Sequence, residues 1–246
     1  MNNNTIVRSF WMGGALSNLE QLSIYSYLAN GHRFEIFTYD SSLQLPKDVV
    51  KRDAREIIPA NKLFLDSRGS YASFADWFRF KMLFKLGGWW TDLDSVCLKF
   101  MDVANEYSFS SEGIEESYLV NIGNIKAPKR AAFLDECLHE IDLLLAKGDN
   151  SWGKYGLNLI RKVLSSYDYE EYLHTPKYFC PIHYKDVSNL VSENAPKIPQ
   201  EAYAIHLWNG MWNFRNLDKN AVYAENSLFE SLKRKYLPDY YVTINR

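Results

Sequence analysis

Residues 73–98 read Ser-Phe-Ala-Asp-Trp-Phe-Arg-Phe-Lys-Met-Leu-Phe-Lys-Leu-Gly-Gly-Trp-Trp-Thr-Asp-Leu-Asp-Ser-Val-Cys-Leu. From Phe74 to Leu86 apolar residues fill nearly every position, which predicts a helix packed on several sides. At about 100° per residue, Asp76 and Arg79 share one face, while Lys81 and Lys85 share the roughly opposite one. One face therefore meets water and the other carries an acid and a base inward. Gly87-Gly88 supplies the permissive backbone that ends a helix, and Trp89-Trp90-Thr91 has the character of a short strand. That strand runs into Asp92-Leu93-Asp94. In an extended segment residues i and i+2 project to one side, so the two carboxylates would converge while Leu93 anchors behind. One or two carboxylates completed by water and phosphate oxygens is how Mg²⁺ or Mn²⁺ is held against a diphosphate.

Composition narrows the field. With 246 residues, 47% hydrophobic and 15% aromatic, the chain can bury one substantial core, and residues 1–246 are read as one domain. A net charge of −2 and a pI near 6.2 give no basic field for nucleic acid. Cys97, Cys137 and Cys180 are odd in number and widely spaced, which suits buried thiols in a reducing compartment better than a disulfide framework or a zinc site. No apolar run approaches the ~20 residues of a membrane span, and Met1 to Thr5 is polar where a signal peptide would be basic and then apolar. A cytoplasmic protein is expected.

Along the chain, Thr5 to Met12 reads as a buried first strand broken by Gly13-Gly14, followed by a helix from Asn18 to Leu28 with Ser17 as N-cap. Phe34 to Tyr39 is a second strand, so residues 5–40 form a β-α-β unit with a parallel crossover. Gly13-Gly14 lacks the G-x-G-x-x-G spacing of a dinucleotide fold. Residues 41–70 look irregular, with only Glu56-Ile57-Ile58 strand-like, and 108–116 looks like a polar, mobile loop. Strands are expected at 96–100 and 118–122. A helix over 129–146 carries Phe133, Leu134, Cys137, Leu138 and Ile141 on its core face and leaves His139 at the surface. Further on come an acidic loop at 168–171 and a closing helix at 226–236. His183 reads as structural. His206 stands at the end of the strand Ala204-Ile205-His206, where binding groups tend to be displayed. The basic residues Lys233, Arg234 and Lys235 with Tyr240-Tyr241 could rest on the inner face of an anionic membrane, a solvated terminus being the plainer reading.

The ordered series Ser-Phe-Ala-Asp-x-x-Arg, helix, Leu-Gly-Gly-Trp-Trp and Asp-Leu-Asp resembles the core of nucleotide-sugar glycosyltransferases of GT-A fold. It is most similar to the family 32 enzymes of capsule and glycolipid synthesis and to the glucosyltransferase domains of large clostridial toxins. The resemblance implies a Rossmann-like α/β domain with a mixed central sheet, residues 1–100 forming the donor half and 101–246 the acceptor half with a closing C-terminal segment. It implies that Asp76 and Arg79 hold the donor sugar and that Asp92 and Asp94 bind metal and ribose, Asp94 as the direct ligand. Trp11 before Gly13-Gly14 would be the platform for uracil, since a flat base gains from a rigid aromatic face. Asn121 or Asn124 would touch the sugar, and His206 with Trp212 would return to the metal and diphosphate, the Asn209-Gly210 turn leaving that loop free to close. Residues 151–156, Ser-Trp-Gly-Lys-Tyr-Gly, resemble the family's Thr-Gly-Pro helix start without its proline.

The expected activity is metal-dependent, retaining transfer of a galactose- or glucose-type sugar from a UDP-sugar, with Mn²⁺ or Mg²⁺. The acceptor would be a hydroxyl of a growing surface glycan of capsule or O-antigen type, or a lipid-linked oligosaccharide. The alternatives are an inactive nucleotide-sugar-binding relative and a sugar-nucleotidyltransferase. The second needs a Gly-rich phosphate loop near the N-terminus that this chain lacks.

Overall fold

The computed structural model describes residues 4–114 and 117–238. Strand β1 (Ile6–Phe10), helix α1 (Asn18–Ala29) and strand β2 (Arg33–Thr38) build the expected unit, with β1 and β2 parallel and Val7 opposite Phe34. Ser17 caps α1 as anticipated. Its hydroxyl accepts from the Leu19 N–H, and Glu20 reaches back to accept the Ser17 N–H at 2.8 Å. This reciprocal arrangement satisfies donors that the first helical turn otherwise leaves open.

The next elements are β3 (Val50–Asp53), α2 (Ala72–Leu86), β4 (Gly88–Thr91), β5 (Ser95–Cys97), β6 (Ser108–Glu112) and β7 (Leu119–Ala127). They are followed by α3 (Ala132–Ala146), α4 (Leu157–Leu164), β8 (Ala204–His206), α5 (Asn209–Phe214) and α6 (Leu228–Tyr236). The main sheet runs β3-β2-β1-β4-β7-β6, parallel through β4, after which β7 and β6 are antiparallel. A separate antiparallel pair, β5 and β8, sets Ser95 opposite His206.

The strand period of two sorts side chains onto the two faces of the sheet. Trp90 joins a core with Phe78, Leu83, Ile125, Leu134 and Ile160 from the α2, α3 and α4 side. Trp89 joins a second core with Leu19, Phe34, Ile205 and Phe229 from the α1 and α6 side. The mixed central sheet is thus covered on both faces, as a mostly parallel sheet requires. Between α2 and β4, Gly87 has φ of +65°, and a Cβ there would stand 2.8 Å from the Lys129 amide nitrogen. Both the left-handed backbone and the close approach call for glycine.

Four expectations are corrected. The strand in 41–70 is Val50–Asp53, while 54–56 forms a 3-10 turn. β3 is an edge strand whose Lys51 and Arg52 meet solvent and whose Arg52 pairs with Glu35 of β2, so it lacks the apolar signal. Residues 108–112 are a strand. The hydroxyls of Ser110 and Ser111 donate to the Asn121 and His174 carbonyls, which lets serine serve as buried strand filling. Asp92 to Asp94 is a tight turn rather than an extended segment, closed by the Ser95 N–H donating to the Asp92 carbonyl at 3.1 Å. Lys233 is turned inward, fully buried, paired with Glu230 and donating to the Ala221 carbonyl, so it offers nothing to a membrane. Tyr240-Tyr241 lie outside the described residues. Among the described residues no helix is long and apolar enough to cross a membrane. The three cysteines are buried and free.

His32, between α1 and β2, stacks on Phe100. It donates from Nδ1 to the Asn4 carbonyl and accepts the Met101 N–H at Nε2. Burial pushes its pKa down to about 4 from 6.5. An unfolded chain then takes up a proton that the folded chain refuses. Stability from this group is complete above pH 6.5 and is lost as pH falls toward 4, by about 3 kcal/mol. Asp76, pushed up to about 6, acts in the opposite direction, so the parent alone does not isolate the effect. Urea melts at pH 7 and pH 4.5 should show a smaller loss for His32→Gln than for the parent. Equal losses would contradict the assignment.

Candidate active site

The cleft lies at the C-terminal end of β4, where α2, β7, α4 and α5 converge, and encloses about 690 Å³. Its walls include Asp76, Arg79, Asp92, Asp94, Asn121 and His206. Arg79 is 5% exposed and bridges two acids, with Nη1 2.6 Å from Asp76 Oδ1 and Nη2 2.6 Å from Asp92 Oδ1. Its guanidinium lies over the Trp90 ring at 4.9 Å, and the Trp90 indole N–H donates to the same Asp92 oxygen at 2.8 Å. The face shared by Asp76 and Arg79 on α2 therefore points at the Asp-Leu-Asp turn. Desolvation pushes the Asp76 carboxyl up to about 6 against the pull of Arg79, with the nearby Asp92 charge adding to the rise.

Asp94 is held differently. Its Oδ2 accepts the Asn209 N–H at 2.7 Å and stands 3.2 Å from His206 Nε2. Its Oδ1 is buried with no hydrogen-bond partner. One ligand atom from each of Asp92, Asp94 and His206 falls within 4.8 Å of the others. An orphaned buried carboxylate oxygen beside a second carboxylate and an imidazole is the donor set of a divalent cation such as Mn²⁺. The three residues fit such an ion. Without one, burial disfavours the His206 cation, but the Asp94 carboxylate outweighs this and raises the His206 pKa well above its ordinary value. The imidazole is stacked on Trp208 with ring centroids 4.0 Å apart, and Cys180 Sγ lies 3.9 Å from its Nδ1.

The remaining expected residues are distributed unevenly. Asn121 lines the cleft, its amide donating to Glu112 Oε2 and its oxygen accepting the Gly123 N–H. Asn124 does not. It is tied to Ser95, Tyr27 and Thr91 in a buried network that locks β7 to α1, β4 and β5. Gly13 lines a second recess of about 330 Å³ with Met12, Thr38, Tyr39, Asp40 and Tyr71. Tyr71 immediately precedes the Ala72 and Ser73 that line the main cleft, so the two spaces are neighbours. Trp11 packs its ring on Gly13 and donates its indole N–H to the Gly14 carbonyl.

Trp212 is a correction. It is completely buried, its ring packs on Phe229, and its N–H donates to the Leu207 carbonyl at 2.8 Å. That donor is spent inside the fold. The cause is that Asn209-Gly210 opens the short helix α5 instead of a free turn, which sends Trp212 inward and leaves Met211 and Phe214 at the cleft.

Sequence reasoning missed Glu112, Arg161 and Trp208. Glu112 was hidden in a serine-rich strand and pairs with Arg161 of α4 at 2.8 Å. Trp208 had a usable signal, standing two residues after His206.

At the start of α4, Gly156 lies under Asp76. A Cβ there would sit 2.2 Å from Asp76 Oδ2, so only glycine lets the carboxylate occupy its place. Gly156→Ala should fold, with a stability loss of about 1–3 kcal/mol, while displacing Asp76. A misplacement near 1 Å can cost about 10²-fold in rate, so kcat/KM for the donor should fall by about 10–100-fold. Parent-like kcat/KM would show that Asp76 has no fixed part in the reaction.

Two family matches follow one another along the chain. Residues 19–110 match the glycosyltransferase sugar-binding region containing the DXD motif, and residues 127–244 match the alpha 1,4-glycosyltransferase conserved region. No curated protein matches the chain. Among solved structures it is similar to the PaToxG glycosyltransferase, at 17% identity and TM-score 0.51 over 68% of this chain and 69% of that one. It is also similar to the apo-form glycosyltransferase GlyE of Streptococcus pneumoniae TIGR4, at 14% identity and TM-score 0.51. That match takes in 98% of this chain and 62% of that one. These structural likenesses speak to the fold, which is GT-A. With the two family regions, the chain is a GT-A glycosyltransferase carrying a DXD sugar-binding region.

Proposed function

We propose that the protein transfers a galactose- or glucose-type sugar from a UDP-sugar, with retention of configuration, to a hydroxyl of a growing bacterial surface glycan. The supporting observation is that Asp92, Asp94 and His206 bring one ligand atom each within 4.8 Å of the others, while Asp94 keeps a buried Oδ1 with no hydrogen-bond partner. These side chains would hold Mn²⁺ or Mg²⁺, which when bound supplies charge neutralisation for the departing diphosphate. Asp94 offers the free oxygen. Asp92, fixed by Arg79 and Trp90, presents its second oxygen toward the ribose and sugar.

Asp76 and Arg79 accept from and donate to the sugar hydroxyls, and Asn121 closes the far wall. The recess at Gly13 receives the base, with Trp11 at its edge. In the reaction the anomeric carbon loses its bond to the phosphate oxygen and gains one to the acceptor oxygen on the same face. The acceptor proton passes to the departing diphosphate, so no side chain is needed as the base. Residues 1–100 then supply most of the donor site and residues 101–246 the acceptor side, facing the cytoplasm.

A thermal-shift series with UDP-, GDP- and CMP-sugars tests this reading. A ligand at 100 times its Kd adds about 2.7 kcal/mol to the folded state. UDP-sugars should therefore raise the melting temperature by several degrees, with Mn²⁺ or Mg²⁺ required. Equal shifts for all three nucleotides, or shifts indifferent to the metal, would overturn it.

A further inference from the structure

Beside the donor site, the mouth of the same cleft has a rim built from two loops. The Ser67 N–H donates to the Asn150 carbonyl, the Asn150 amide to the Leu65 carbonyl, and the Trp152 N–H to the Ser67 hydroxyl, each at 3.0 Å. These three bonds fix residues 65–68 against 150–152. Arg68 lies over the Trp152 ring at 3.6 Å, and both line the cleft. Although Arg68 lies over the indole, Trp152 remains 48% exposed, so part of its ring surface stays open. Among the described residues, the Arg68 guanidinium has no ion pair and no side-chain hydrogen bond. It differs in this from Arg79 and Arg161, the other arginines of the cleft, whose charges are matched by Asp76, Asp92 and Glu112.

Exposed indole surface suits the apolar face of a pyranose. A guanidinium pre-oriented by stacking, with its donors uncommitted, suits the planar or tetrahedral oxygens of an anion. We propose that Arg68 and Trp152 form an acceptor subsite that selects an anionic pyranose, its ring resting on Trp152 and its carboxylate or phosphate paired with Arg68. The donor carries its own charge on the diphosphate, which the Asp94 and His206 end of the cleft would take. The rim charge is thus left for the acceptor. This inference rests on reading the cleft as a donor site.

The test is a ligand-observed NMR titration of the full chain with methyl β-D-glucuronide, glucose 6-phosphate and neutral methyl β-D-glucopyranoside, each with and without saturating UDP and Mn²⁺. At least one anionic sugar should bind ten times or more tighter than the neutral glycoside and should not be displaced by UDP. The carboxylate and phosphate arms show which anion is preferred. Arg68→Ala should abolish the preference, Arg68→Lys should keep part of it because the charge survives without the planar fork, and Trp152→Ala should weaken all three probes about tenfold. Equal binding of neutral and anionic sugars, no binding of any probe, displacement by UDP, or a parent-like Arg68→Ala would overturn the proposal. UDP titrated alone with Mn²⁺ into the parent tests the donor reading separately, since UDP can fail to bind while the rim still selects anions, and the reverse.

Discussion

Asp94→Asn is expected to lose metal-stimulated turnover by about 10³-fold, the scale seen when an electrostatic contact to developing charge is removed. The substitution keeps the shape of the side chain. An Asn oxygen can still accept the Asn209 N–H that Asp94 Oδ2 now accepts, so the turn should survive. What disappears is the negative charge beside His206, 3.2 Å from Oδ2, and the unpartnered Oδ1. The measurement is donor hydrolysis against Mn²⁺ concentration, with circular dichroism to verify folding. A folded variant still stimulated by Mn²⁺ to within tenfold of the parent would remove Asp94 from the metal site.

Arg79→Met should have the largest effect on stability, about 3–5 kcal/mol, because it strands charge in a buried setting. Asp76 and Asp92 each depend on one arm of that guanidinium at 2.6 Å. A purely structural trio could be repaired by removing the stranded charge. The double variant Asp76→Leu with Arg79→Met should therefore recover part of the lost stability. If the pair grips the donor sugar, the double variant should recover none of the activity, with kcat/KM remaining at least about 10²-fold down. Denaturant midpoints beside donor kinetics separate the two roles. Recovery of both would return Asp76 and Arg79 to the scaffold.

Much of this was legible where one physical signal dominated. The β-α-β unit showed itself through β-branched and aromatic runs around a capped helix, and Asp76 with Arg79 through helical spacing. His206 stood out as an imidazole closing an apolar strand. The failures share a cause, which is that tertiary partners changed what a residue type meant. Ser110 and Ser111 looked like loop residues, yet their hydroxyls are satisfied by carbonyls of neighbouring segments. Val50–Asp53 looked irregular because a charged edge strand shows no burial pattern. Trp208 and Trp212 are equal in a sequence, and only the onset of α5 at Asn209 decides that the first stacks on His206 and the second enters the core. Arg68 and Trp152 lie 84 positions apart, and no local pattern links them.

The pairing of β5 with β8 also bears on how the chain comes off the ribosome. His206 meets Asp94 across 112 positions of sequence, and its register is set by Ser95 opposite it. At about 5–20 residues per second of synthesis, roughly 6–22 s pass between the two. During that interval the nascent protein exposes an Asp-Leu-Asp turn without its imidazole, its Trp208 cover or the Asn209 amide. Any divalent ion it met would be held by two carboxylates alone, weakly and exchangeably. If Asp92, Asp94 and His206 hold the proposed ion, capacity to bind it firmly arrives as a late step, coupled to the docking of β8, and a nascent chain stalled before residue 206 would have a donor half that cannot commit a nucleotide sugar.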